Sequence, residues 1–86
     1  MQLYAVVELV HECNKDKRLD ETLIFKSREG AVAYLRERFE SVCSDADSLS
    51  GLMSKSLSED GWYDCVTNDG DRYEGYVSEA TEVQGC

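Results

Sequence analysis

The sequence has no proline, one histidine, one tryptophan, and nine basic side chains against 18 acidic ones. Each shortage excludes something. The lack of proline argues against a stiff extended linker and fits a compact domain. The shortage of Lys and Arg works against direct binding to nucleic acid or to an anionic membrane, because both need clustered cations to displace counterions. The N-terminal stretch QLYAVVELVH is broken by Glu8 and falls well short of the roughly 20 apolar residues that span a bilayer, so it reads as neither signal peptide nor anchor. Glycine-rich nucleotide loops, G-x-S-x-G and H-E-x-x-H are missing. Cys13, Cys43, Cys65 and Cys86 lie too far apart for a zinc or redox motif, and without a secretory signal they are expected as thiols in a cytoplasmic setting. No cofactor is expected.

What remains describes a single small acidic domain over residues 1–86. Its formal charge of −9 is concentrated in the second half, where Lys55 and Arg72 are the only basic residues after Cys43. A basic protein is the natural partner for such a field.

Read in order, residues 2–10 alternate, with Leu3, Ala5, Val7 and Leu9 on one face and Tyr4, Val6, Glu8 and Val10 on the other. Both faces are fairly apolar, which suits an interior strand. The run from His11 to Asp20, with Lys15, Lys17 and Arg18, reads as an exposed loop, and residues 21–26 as an antiparallel return that completes a hairpin. Ser27 can cap a helix over residues 28–43. Ala31, Leu35, Phe39 and Val42, with Val32 and Cys43, form its buried face, and Glu29, Arg36, Glu37 and Glu40 its solvated one. In residues 44–60 the spacing of Leu49, Leu52, Met53 and Leu57 suits a second, short amphipathic helix, against which Gly51 counts. An exposed strip there is one route to a homodimer.

The strongest local signal is GWYDCVTNDGDRYEGYV, residues 61–77, in which Asp69-Gly70 separates two runs of aromatic and β-branched residues. A two-residue type I′ turn there sets Val66 opposite Tyr73, Asp64 opposite Gly75 and Trp62 opposite Val77. The expected core set is then Trp62, Val66, Tyr73 and Val77, with Tyr63 and Tyr76 nearer solvent. Gly75 marks a bulge or a close approach. Val83 can extend the last strand, while Gly85 and Cys86 are expected to fray. The fold expected is α+β: a four-stranded antiparallel sheet of two hairpins, one main helix on one face, and the order ββα(α)ββ.

Three chemistries are testable on the residues. His11 and Cys13 lie two apart, as a thiol and its activating base could, but no motif supplies an orienting third group. Asn68, Asp69 and Asp71 around Gly70 fail the EF-hand spacing for calcium and are explained by the turn. Tyrosines among carboxylates suit a protein-binding surface, with aromatic anchors for affinity and negative charge for steering. That expectation falls on Tyr63, Asp64, Asp69, Asp71, Glu74 and Tyr76. In size, acidity and lack of catalytic motif the chain resembles the small accessory proteins of phages and mobile elements, anti-CRISPR proteins among them. This likeness is one of composition and carries over no residue. It implies a non-enzymatic inhibitor that imitates the charge of nucleic acid. A structural homo-oligomer and a small enzyme using His11 and Cys13 are the alternatives.

Overall fold

The computed structural model describes residues 2–81, and the expectations for Val83, Gly85 and Cys86 lie outside them. The chain is α+β, with one helix packed on a sheet. Strands β1 (Gln2–His11) and β2 (Arg18–Phe25) form the first hairpin. It is in register from Tyr4↔Phe25 to Glu8↔Glu21, then shifts so that Leu9 meets Leu19, which leaves Asp20 as the extra residue of a bulge.

Helix α1 (Arg28–Ser50) begins where expected, with the Ser27 hydroxyl accepting from the Gly30 N–H at 3.0 Å. It runs 23 residues, beyond the expected end at 43. Ala46, three residues past Cys43, continues the buried stripe of Ala31 and Leu35, and nothing breaks the helix before Gly51. Gly51 stops it. At φ 75° its N–H reaches back to the Asp47 carbonyl, a conformation open to glycine at low cost.

The expected second helix is therefore absent from the described residues. Its apolar positions are divided at Gly51. Leu49 projects from the end of α1, 84% exposed, whereas Leu52, Met53 and Leu57 belong to an edge strand, β3 (Leu52–Ser58). The segment LMSKSLS satisfies a helical stripe and a strand about equally, and the glycine decides between them. The sheet accordingly has five strands rather than four, in the order β2-β1-β5-β4-β3, with β4 spanning Trp62–Thr67 and β5 spanning Arg72–Thr81. All neighbours are antiparallel. The helix carries the chain from the β2 edge to the β3 edge, and β1 pairs with β5 in the interior.

The β4–β5 hairpin corrects the expected register. The Gly70 N–H bonds to the Thr67 carbonyl at 3.1 Å, and the Thr67 N–H to the Asp71 carbonyl at 2.9 Å, so the loop is the three residues Asn68, Asp69 and Gly70. Gly70 has φ 91°, whereas Asp69 lacks the positive φ that a type I′ turn requires. One extra loop residue slips the pairing by one, setting Val66 opposite Arg72, Asp64 opposite Glu74, Tyr63 opposite Gly75 and Trp62 opposite Tyr76. Every β4 side chain changes face relative to expectation. Tyr63 is 3% exposed and joins Val6, Ala31 and Leu35 in the core, while Trp62 is 46% exposed on the reverse face. Tyr73 and Val77 pack against the core as expected. A second cluster, Cys43, Ala46 and Cys65, lies towards the far end of the helix.

Candidate functional site

One acid is buried beneath the helix. Glu8 on β1 is 2% exposed, and its carboxylate accepts from Arg38 Nε at 2.9 Å and from the Tyr63 hydroxyl at 2.8 Å. A carboxylate in that position is costly unless paired and hydrogen-bonded, and here it is both. Burial first, then the bond to Glu8, pushes the Tyr63 phenol far above its usual range. The bond to Glu8 likewise raises Arg38. The ring of Tyr63 fits because residue 75 is glycine. A Cβ there would stand 2.2 Å from Tyr63 Cε2, so the close approach read into Gly75 is made by Tyr63. Among the described residues no buried polar side-chain atom lacks a partner, and this network belongs to the core.

Of the six hairpin residues expected to meet a partner, Asp64, Glu74 and Tyr76 come together on the uncovered face, while Asp69 and Asp71 stay at the turn. Tyr63 faces the helix. Asp64 and Glu74 stand opposite each other on the uncovered face, a like-charge pair that Arg72 and Lys17 neutralise. Arg72 bonds both Asp64 oxygens at 2.8 and 3.0 Å and lies 3.0 Å from Glu74, whose other oxygen is 2.6 Å from Lys17 Nζ. The bond to Asp64 raises the Arg72 pKa. Asp71 accepts from the Cys13 backbone N–H at 2.9 Å and so fastens the β1–β2 loop to the turn. Asp69, at the tip, and Tyr76, on the uncovered face, remain exposed.

Two further surfaces emerge from the fold. The first is one exposed side of α1, from its middle to its C-terminal end. Glu37, Glu40 and Asp47 occupy one exposed stripe at helical spacing, and none of them enters an ion pair among the described residues. The last turn carries no basic residue, so the negative end of the helix dipole adds to the field of Asp47, which lies in that turn. Asn68 anchors the neighbouring turn there, donating from its N–H to Gly51 O at 3.0 Å and from its amide to Ser50 O at 3.4 Å, which brings the Asp69 turn beside the helix end. This juxtaposition depends on a long-range contact that local sequence pattern does not reveal.

The second is the sheet face that no element covers among the described residues. Val7, Tyr76 and Trp62 lie in one row across β1, β5 and β4, and Leu9 with Leu19, and Ala5 with Ile24, extend it over β1 and β2. Trp62, Tyr76, Leu19 and Ile24 are exposed. The signal was in the sequence: both faces of β1 are apolar, and the helix covers one.

His11 lies at the end of β1 opposite Arg72, and Cys13 lies in the following loop with its sulfur near Gly70. Among the described residues no hydrogen bond joins their side chains, and Cys13 donates its backbone N–H to Asp71. Cys43 and Cys65 are buried free thiols, and burial followed by the contact with Cys43 pushes Cys65 up to about 12. Among the described residues no cluster of three or more His, Cys, Asp and Glu side chains could hold a metal, and no helix is long and apolar enough to cross a membrane. No protein-family model, curated protein or solved structure matches the chain.

Proposed function

We propose that the chain is a non-enzymatic acidic module that docks on a basic, nucleic-acid-binding protein and inhibits it by imitating nucleic-acid charge, as an accessory protein of a phage or mobile element would. The observation that carries this reading is the division of the acidic residues. Five of the nine basic residues, Lys15, Lys17, Arg18, Arg38 and Arg72, are engaged in ion pairs, while Glu37 and Glu40 in the middle of α1 and Asp47 in its last turn enter none among the described residues, although Lys55 lines the same hollow as Glu40 and Asp47. Asp69 extends that field. Asp47 in the last turn destabilises the free domain slightly, and a cationic partner offsets that cost. The free thiols of Cys13, Cys43 and Cys65 fit a reducing, cytoplasmic site of action.

The test uses the proteins of a host lysate that bind heparin, because these are basic and recognise polyanions. The immobilised chain is expected to retain a member of that fraction at about 0.05 M salt and release it by about 0.5 M, where screening shortens the reach of exposed charges. The folded variant Glu37→Lys/Glu40→Lys/Asp47→Lys is expected to retain nothing. Equal retention by that variant contradicts the reading.

A further inference from the structure

We infer that the uncovered face of the sheet is where a second copy of this chain docks, face to face, about a two-fold axis running along β5. Two chains of charge −9 repel each other over most of their surface. This face is different. Its acids, Asp64 and Glu74, are neutralised within the same copy by Arg72 and Lys17, so two copies can approach across it without opposing net charge. The same neutrality makes it a poor landing place for the basic partner proposed above, which the helix end would attract instead.

The face is also complementary to itself. Because β5 is the central strand of five, a two-fold axis along it lays β4 of one copy over β1 of the other. The β4–β5 half carries the aromatic rings of Trp62 and Tyr76, and the β1–β2 half carries the aliphatic Val7, Leu9, Leu19 and Ile24. The axis therefore sets the Trp62 ring over Val7 of the facing copy and Tyr76 over its own counterpart, and lays Leu19 and Ile24 over the serine side of β3. A shallow hollow bounded by Trp62, Asp64, Arg72 and Tyr76 gives Leu9 of the facing copy a place to enter. Sheets stacked in this way lie about 10 Å apart with their strands within about 30° of one another.

The extent is sufficient. Five strands at about 4.8 Å make a face roughly 24 Å wide, and seven residues at about 3.3 Å make it roughly 23 Å long. Two copies then remove on the order of 1,200 Å² of accessible surface, the lower end of the range for stable interfaces.

Trp62 is the sole tryptophan and sits in the proposed contact, so the unmodified chain reports on it directly. Sedimentation equilibrium between about 1 and 200 µM, at about 0.05 and 0.5 M salt, is the first measurement. The expected result is a mass rising from 9.7 kDa towards twice that value. Association should tighten with salt as screening weakens the repulsion between acidic chains, the opposite of the response to a basic partner. Trp62 emission is expected to shift to the blue over the same concentrations. The folded variants Trp62→Lys and Leu9→Lys are expected to remain monomeric, whereas Leu57→Lys, on the edge strand, and Glu37→Lys/Glu40→Lys/Asp47→Lys, on the helix, still dimerise. A monomer at 200 µM overturns the inference, and so does a dimer whose tryptophan emission never shifts or that Leu57→Lys dissociates. None of these results bears on the docking of a basic protein to the helix end.

Discussion

Tyr63 shows how much rests on a single side chain. Its ring fills the space left by Gly75, and its hydroxyl supplies one of the bonds that make a buried Glu8 tolerable beside Arg38. Gly75→Ala places a methyl group 2.2 Å from Cε2 of a ring that is locked on both sides, so the cost is an overpacked core of about 2–3 kcal/mol, read as a lower midpoint in urea. Tyr63→Phe keeps the packing but withdraws a donor from a buried carboxylate, at a cost of about 1.5–3 kcal/mol. The two variants should differ in pH dependence. Raised folded-state pKa values at Tyr63 and Cys65 mean that the folded chain holds protons that the unfolded chain releases above about 8.5 for the thiol and about 10 for the phenol. Stability contributed in this way is complete below those values and falls as pH rises through them. Denaturant titrations from pH 8 to 11 are expected to show that decline in the parent and in Gly75→Ala, and a shallower one above pH 10 in Tyr63→Phe. An equal decline in Tyr63→Phe would remove the phenol from the account.

Among the elements, α1 and the β4–β5 hairpin show where the sequence was legible. The Ser27 cap, the buried stripe and the solvated Glu29, Arg36, Glu37 and Glu40 follow from helical periodicity alone, and the structure keeps them. The first hairpin and the interior place of β1 were legible for the same reason, since alternation and two apolar faces are local signals, but the return strand starts at Arg18, inside the expected loop, and not at 21. The helix end was not, because Gly51 weighs against a helix in one frame and terminates one in another. The hairpin's existence was plain, yet its register turned on whether Asp69-Gly70 or Asn68-Asp69-Gly70 made the loop, and dipeptide preference alone does not separate these. That single residue decided that Tyr63 is core and Trp62 is surface. It also withdrew Tyr63 from the expected site and brought Asp64 onto the face that holds Glu74 and Tyr76. At this scale the helix end allows a test of conflict between stability and binding. Asp47→Asn removes a negative charge from the last turn and is expected to stabilise the isolated domain by about 0.3–1 kcal/mol while weakening retention of the basic partner. Thermal melting and the salt-step capture are run on the same sample. A variant that gains no stability means that Asp47 is already compensated in the free chain.

For the molecule as a whole, two properties share one small sheet-and-helix layer without interfering. The sheet side is apolar and locally neutral, and the helix end is acidic and unpaired among the described residues, so a dimer on the first leaves two copies of the second facing outwards. What sequence reading could not supply at this scale was the neutralisation of Asp64 and Glu74, because Lys17 comes from a loop over fifty residues away in the chain. The most direct measurement titrates the captured basic protein with three chains over a salt series: the parent, Glu37→Lys/Glu40→Lys/Asp47→Lys, and Asp64→Asn/Glu74→Gln. The helix variant is expected to lose at least tenfold in affinity with a flatter salt dependence, and the hairpin variant to stay within about threefold of the parent. The reverse order, with the hairpin variant losing binding and the helix variant keeping it, would contradict the account.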